Sequence, residues 1–254
     1  MPHFFLTGAA GGIGSEVARL WTTAGGSVTL FGRTESKLSS LADSLPAGSY
    51  LVHAGDACQP EDLEAAVAAT IDRFGQIDAL AHCVGSIKLK PLHSASLADF
   101  DEVLNINLRS AFLAVKAVLP AMRSRQSGSV VLVSTVAAGQ GLNNHELIAA
   151  AKAGIEGFVR SAAISYARTG IRFNAVAPGL TDTPMAAPLL ANEQSRAISE
   201  QMHPLGRVAK AEEVARVIAF LAGADSGFVT GQVWGVDGGL GSGVMPPRVT
   251  LKPA

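Results

Sequence analysis

Charge is scarce in this 254-residue chain: Asp, Glu, Lys and Arg together make up 16% of it, against a usual figure of about 25%. The 20 basic and 21 acidic residues are scattered and nearly cancel, leaving a formal net charge of −1. No basic run exists that could track phosphates, so nucleic acid is not an expected partner. Cysteine is almost absent. Cys58 and Cys83 lack any ligand-like pairing with each other or with histidine, which argues against a disulfide framework or a metal centre and for two reduced thiols. No apolar stretch approaches the ~20 residues of a bilayer span. Residues 1–5 lead straight into the first apolar strand, with no room for a charged region followed by a signal segment. A cytosolic protein with no membrane partner is expected.

What the chain has is apolar surface and a regular alternation. Apolar residues reach 48%, so much surface must be buried, part of it between subunits, and a homo-oligomer is expected. Short apolar runs bounded by Gly, Asp or Asn stand at residues 3–7, 27–31, 50–54, 79–84, 129–134, 172–177 and 233–236. Helical spacing fills residues 15–24, 60–74, 97–123, 148–169 and 210–222. Strands alternating with helices, and strands apolar on both sides, predict an α/β fold. The expectation is a single doubly wound Rossmann domain over residues 1–239, with a seven-stranded parallel sheet and helices on both faces, then a tail at 240–254 whose Pro246-Pro247 favours an extended chain. Residues 180–204 read as an irregular insertion of the kind that forms lids and binding loops. Met185, Pro188, Leu189, Leu190 and Met202 in it fit an apolar small-molecule substrate, or equally a segment folded onto the core.

The first strand runs into Gly8-Ala9-Ala10-Gly11-Gly12-Ile13-Gly14 and then a helix. Backbone N–H groups and a helix N-terminus at such a turn suit a pyrophosphate, and glycine allows its close approach. The adenosine ribose of a dinucleotide should lie at the end of the second strand, which reads Phe31-Gly32-Arg33-Thr34. No carboxylate stands at Gly32 to accept from a free 2′-hydroxyl, whereas Arg33 can pair with a 2′-phosphate and Thr34 can assist. NADP is therefore favoured over NAD. Asp56, with Ala57 beside it after the third strand, is placed to accept from the adenine amino group.

With these residues in view the chain resembles the short-chain dehydrogenase/reductase family, and most closely its 3-oxoacyl carrier-protein reductase branch. Thr7-Gly8 to Gly12-Ile13-Gly14 is similar to the family's TGxxxGIG, Asp56 to its adenine-contacting Asp, and Asn105-Ile106-Asn107-Leu108 to the segment carrying its helix asparagine. Pro178-Gly179-Leu180-Thr181-Asp182-Thr183 resembles the segment whose backbone and Thr hold the nicotinamide carboxamide. Residues 231–239 resemble the last strand, at a surface where such proteins commonly form tetramers. The family's Asn-Asn-Ala-Gly appears as His82-Cys83-Val84-Gly85, so only Gly85 keeps its type.

In the family a Tyr stands four residues before a Lys on one helix, and a Ser closes the preceding strand. The resemblance makes Lys152 the ribose-binding lysine and Asn107 the residue of the water relay behind it, and it puts Thr135, next to Ser134, at the Ser position. The Tyr position holds Ile148, which can neither donate nor accept a proton. Two responses fit. His145, seven residues before Lys152, can supply the proton in place of the phenol. Alternatively the reaction is conjugate reduction, as in the 2,4-dienoyl-CoA reductases, where charge develops on a carbonyl oxygen remote from the hydride acceptor. A third reading is an NADP(H)-binding protein with a sensor or structural role and no catalysis.

Overall fold

The computed structural model describes residues 2–243. Most of the tail expected at 240–254 therefore lies outside the described residues. Seven strands form one parallel sheet: β1 (His3–Thr7), β2 (Ser27–Gly32), β3 (Tyr50–Ala54), β4 (Ala79–His82), β5 (Gly128–Val133), β6 (Ile171–Pro178) and, beyond a short parallel pair of β7 (Thr181–Asp182) with β8 (Ala209–Lys210), β9 (Val233–Val236). The order across the sheet is β3-β2-β1-β4-β5-β6-β9. It reverses direction between β1 and β4, where Phe4 pairs with Val28 on one side and Ala79 on the other. Crossover connections on both sides leave a crevice at the carboxyl ends of these two strands, the usual ligand position in such sheets.

The helices are α1 (Gly12–Thr23), α2 (Glu35–Ala42), α3 (Pro60–Phe74), α4 (Leu97–Leu104), α5 (Ser110–Arg125), α6 (Glu146–Tyr166), α7 (Glu193–Met202) and α8 (Ala211–Ala222). Successive strand residues point to opposite faces, and β1 shows the result. Phe5 joins a core with α3, α5 and α6, whereas Phe4 and Leu6 join a second core with α1, α2 and α8. All three side chains are fully buried. The expected doubly wound fold is present.

Three readings of the sequence are corrected. Residues 180–204 contain a strand, a 3-10 turn and α7, started by Asn192 Oδ1 accepting from Ser195 N–H at 2.9 Å. Residues 35–42 are helical although their polar composition hid it. The third concerns the long helix at 97–123. It is two helices joined by a π turn at Asn105–Arg109, and by length and composition alone a window of Leu97–Arg125 is apolar enough to cross a membrane. In this fold it is a core helix: Ala111, Ala114, Val118 and Met122 pack with Leu80, Val130 and Phe173 of the sheet.

Candidate functional site

A cavity of about 740 Å³ opens at the carboxyl ends of the central strands. It collects most of the residues singled out by sequence. Gly12, Ile13, Gly14, Arg33, Gly85, Asn107, Thr135, His145, Ile148, Lys152, Pro178, Gly179 and Thr183 all line it. Gly8, Thr34, Asp56 and Ala57 do not. Gly8 lies beneath the turn with φ +71, and a Cβ there would stand 2.8 Å from the Cys83 carbonyl. Thr34 is the N-cap of α2 without a side-chain cap bond. The Asp56 carboxylate accepts from the Cys58 N–H at 2.9 Å, and Ala57 is buried.

The glycine-rich turn is a cradle without spare room. A Cβ on Gly14 would fall 2.3 Å from the Gly8 carbonyl oxygen, and one on Gly12 would fall 2.6 Å from Thr183 Cγ2. The first N–H groups of α1 have no intrahelical acceptor, and no acidic residue occupies its first turn. Two cations near the other end of the cavity, Arg33 and Lys37, line it as well. This donor set fits a dinucleotide: N–H groups and a helix N-terminus for the pyrophosphate, basic side chains near the adenosine end.

The reacting end is built around Lys152. Its Nζ donates to the Val133 carbonyl at 2.8 Å, its side chain is buried, and desolvation lowers its pKa to about 8. Asn107 sits in the π turn, where the helical ladder is interrupted, and its own amide donates to the Val103 carbonyl at 3.0 Å. The same amide donates to Ser86 Oγ at 2.9 Å, while its carbonyl oxygen accepts from Ser86 N–H at 3.0 Å. Ser86 thus fixes Asn107 beside Lys152. Thr135 caps a short 3-10 turn, its oxygen accepting from Ala137 N–H at 3.3 Å, so its O–H remains available to a substrate oxygen. Ser134 points the other way, donating to Glu156 Oε1 at 2.8 Å.

Ile148 is both cavity wall and core: it is buried and packs with Val103, Leu147 and Ala151. His145 precedes the first turn of α6 as its N-cap residue, and its Nδ1 faces the Asn143 carbonyl at 2.7 Å. A carbonyl only accepts, so Nδ1 carries a proton and Nε2 is left for other partners.

The altered His82-Cys83-Val84 segment makes its own contacts. His82 bridges Thr7 Oγ1 at 2.8 Å and Ser110 Oγ at 3.0 Å, tying β1 to α5 through β4. Burial and the nearby Lys152 charge lower its pKa to about 3, and burial raises the Cys83 thiol to about 12.

One functional residue escaped the sequence reading. His203, buried at the end of α7, donates from Nδ1 to the Ser199 carbonyl at 2.7 Å and accepts the Leu180 N–H on Nε2 at 3.1 Å. It pins α7 to the Pro178-Gly179-Leu180 segment, and a Cβ on Gly179 would fall 2.5 Å from its Nε2. The available signal was the helical spacing of Ile198 and Met202 behind Asn192, both of which line the cavity.

Comparison with known proteins agrees with this geometry. A family profile described as enoyl-(acyl carrier protein) reductase matches residues 8–241. The chain belongs to the short-chain dehydrogenase/reductase family. Among the relatives of this dehydrogenase/reductase, the 3-oxoacyl-[acyl-carrier-protein] reductase of Thermotoga maritima is 38% identical over 240 residues, covering 92% of this chain and 96% of its own. The cis-4-hydroxycyclohexanecarboxylate dehydrogenase of Sinomonas cyclohexanicum is 40% identical over 240 residues, covering 92% and 94%. The solved structure of ElxO with NADP bound superimposes with a TM-score of 0.89 at 26% identity, covering 95% of this chain and 99% of that one. Members of the family are oxidoreductases that use nicotinamide cofactors.

Proposed function

We propose that this chain is an NADP(H)-dependent oxidoreductase acting on an apolar small molecule that carries a ketone or a conjugated enone. The observation that carries the reading is the meeting of Lys152, Thr135 and Asn107 with the glycine turn and Arg33 on the walls of one cavity. When bound, the cofactor supplies hydride. Gly12, Ile13 and Gly14 would hold its pyrophosphate, with Gly8 shaping the turn from below. Arg33 would hold the 2′-phosphate, helped by Thr34, with Asp56 and Ala57 at the adenine and Gly85, Pro178, Gly179, Thr183 and Lys152 around the nicotinamide nucleoside.

The chain's own groups would do the rest. The Thr135 hydroxyl donates to the substrate oxygen as charge gathers there. Leu89, Leu142, Ile148, Met185 and Leu189 give the cavity apolar walls, which exclude water and favour an apolar substrate. His145 stands at the wall with Nε2 available to orient a polar substituent. Exposed Ile164, Phe220, Phe228 and Trp234, together with the low charge content, support a homotetramer. Two free thiols support a cytosolic setting.

Calorimetric titration tests the cofactor assignment. NADPH should bind more tightly than NADH, and Arg33→Ala should cut that preference by about tenfold to a hundredfold, the worth of one charge-assisted contact. Equal or better binding of NADH by the unaltered protein would refute it. NADPH consumption against a panel of ketones and enones separates an oxidoreductase from a binding protein without turnover.

A further inference from the structure

Without a phenol at position 148 the reaction needs a proton from elsewhere, and the wall of the cavity offers a cation in an unusual setting. Lys152 is buried and lines the cavity, yet among the described residues no carboxylate pairs with it. Its one hydrogen-bond partner among the described residues is the Val133 carbonyl, which leaves two of the three N–H bonds of an ammonium to be directed elsewhere. The wall beside it is kept thin by Gly85, where even a Cβ would stand 3.5 Å from Nζ. We propose that Lys152, beyond holding a cofactor ribose, is itself the catalytic acid that protonates the substrate oxygen, a role that rests on the NADP(H) oxidoreductase reading.

The groups facing Nζ from each packed element leave the role to it. From the end of β4 come His82 and, just beyond it, Cys83, an imidazole held neutral with its pKa at about 3 and a thiol held neutral with its pKa at about 12. From the π turn comes the uncharged amide of Asn107, and from just beyond β5 the hydroxyl of Thr135, while that of Ser134 is turned to Glu156. On α6 itself Glu156 lies one turn further on, with Ser134 donating to its carboxylate. His145, at the start of α6, is half-buried and anchored to a loop carbonyl. Ile148, one turn before Lys152, adds apolar surface where a phenol would have solvated the ammonium. Burial brings the Lys152 pKa to about 8, close to the operating pH at which a general acid is both protonated and willing to give its proton up.

The step balances as follows. The carbonyl carbon, or the β-carbon of an enone, accepts a hydride with its electron pair from the reduced nicotinamide, which is thereby oxidised. In a ketone the C=O π pair moves onto oxygen; in an enone the C=C π pair moves to the bond between the α-carbon and the carbonyl carbon, and the C=O π pair moves onto oxygen. That oxygen bonds to a proton from Nζ, directly or across one water, as the N–H bond breaks and leaves its pair on a neutral amine. Solvent water then reprotonates the amine. For an enone the first product is the enol, which returns to the ketone in water.

Substitution and pH separate this from the alternatives. Lys152→Arg keeps the positive charge and the donors, but guanidinium does not give up its proton in proteins. It should bind NADPH, followed by fluorescence, within a few-fold of the unaltered protein, yet lose roughly 100-fold to 10,000-fold in reductive turnover. In the unaltered protein, turnover in the reductive direction should fall as pH rises through about 8, and His145→Ala should leave that profile in place. NMR titration of protein carrying ¹³Cε-labelled lysine gives a readout without turnover, in which Lys152 should titrate near 8. Turnover retained by Lys152→Arg, a profile that breaks in the histidine range and disappears in His145→Ala, or a Lys152 titration at the ordinary value of 10.5 would each overturn the proposal. Failure of the unaltered protein to bind NADPH, or to oxidise it with any ketone or enone, would overturn the oxidoreductase reading beneath it and this proposal with it.

Discussion

Side chains four residues apart on a helix share a face, so whatever stands at position 148 sets the surroundings of Lys152. Ile148 contributes a branched apolar wall continuous with Val103 and Ala151. Ile148→Tyr would put a phenol beside the ammonium, with Thr135 already lining the same cavity. The variant should gain ketone reduction, by the roughly 100-fold to 10,000-fold that general acid catalysis contributes, in a spectrophotometric NADPH assay. No gain with NADPH still bound would locate the obstruction in residues 82–84 or in the loop around Met185. The meeting of Lys152, Thr135 and Asn107 at one cavity was legible in the sequence, because spacing along one helix, one strand end and one motif marks all three. The partners that position them were not. Ser86 meets Asn107 across 21 residues of chain, and the Asn107 amide reaches the Val103 carbonyl from within a π turn that spacing alone does not announce.

Among the elements, α7 shows why a helix can be hidden from its sequence. None of its residues is buried, so it lacks the strong apolar stripe from which helices are read, and the prolines and small residues before it suggest loop. Beside the exposed ion pair of Arg196 with Asp182, His203 joins it to the domain. Its imidazole accepts one backbone N–H and donates to one backbone carbonyl, so the arrangement requires the neutral ring with the proton on Nδ1. His203→Ala leaves the part-buried Leu180 N–H without its acceptor, at a cost of about 1–3 kcal/mol. At roughly 2–4 °C per kcal/mol for a chain of this size, a melting scan should fall by several degrees. Because α7 carries Ile198 and Met202 to the cavity wall, substrate KM should rise more than kcat falls. His203→Gln, which keeps an acceptor, should recover part of both. Unchanged melting and KM in the alanine variant would show that the pin carries no load. The short helix α2 was missed for a related reason: its eight residues bury only Leu38, Leu41 and Ala42.

For the molecule as a whole, the two imidazoles buried within the sheet make acid the condition to which the fold is most exposed. His3 is held between Ser27 Oγ and Thr29 Oγ1 and stacked on Phe74, and burial lowers its pKa from 6.5 to about 4. His82 is lowered further, to about 3. Below pH 6.5 the unfolded chain takes up protons that the folded chain refuses, so stability is present above that value and lost as pH falls toward 4. For His3 the shift corresponds to about 3 kcal/mol at most. Urea unfolding midpoints should therefore drop between pH 7 and pH 5, and His82→Asn, with a side chain that does not titrate, should flatten part of the drop. A midpoint indifferent to pH would contradict the assignment. The strand order that places these histidines also governs how the chain assembles during synthesis. β1 is central, yet its second neighbour is β4, so the contact between His3 and Asp78 must wait until 75 further residues have followed. Until then β1, central in the finished sheet, is an open edge, a surface on which a nascent chain can pair wrongly. The glycine turn is complete within the first strand and helix, but Thr183, the side chain that lies against Gly12, is made more than 150 residues later. A ribosome-bound half chain would hold the phosphate turn and no roof above it, so capture of the dinucleotide marks completion of the fold.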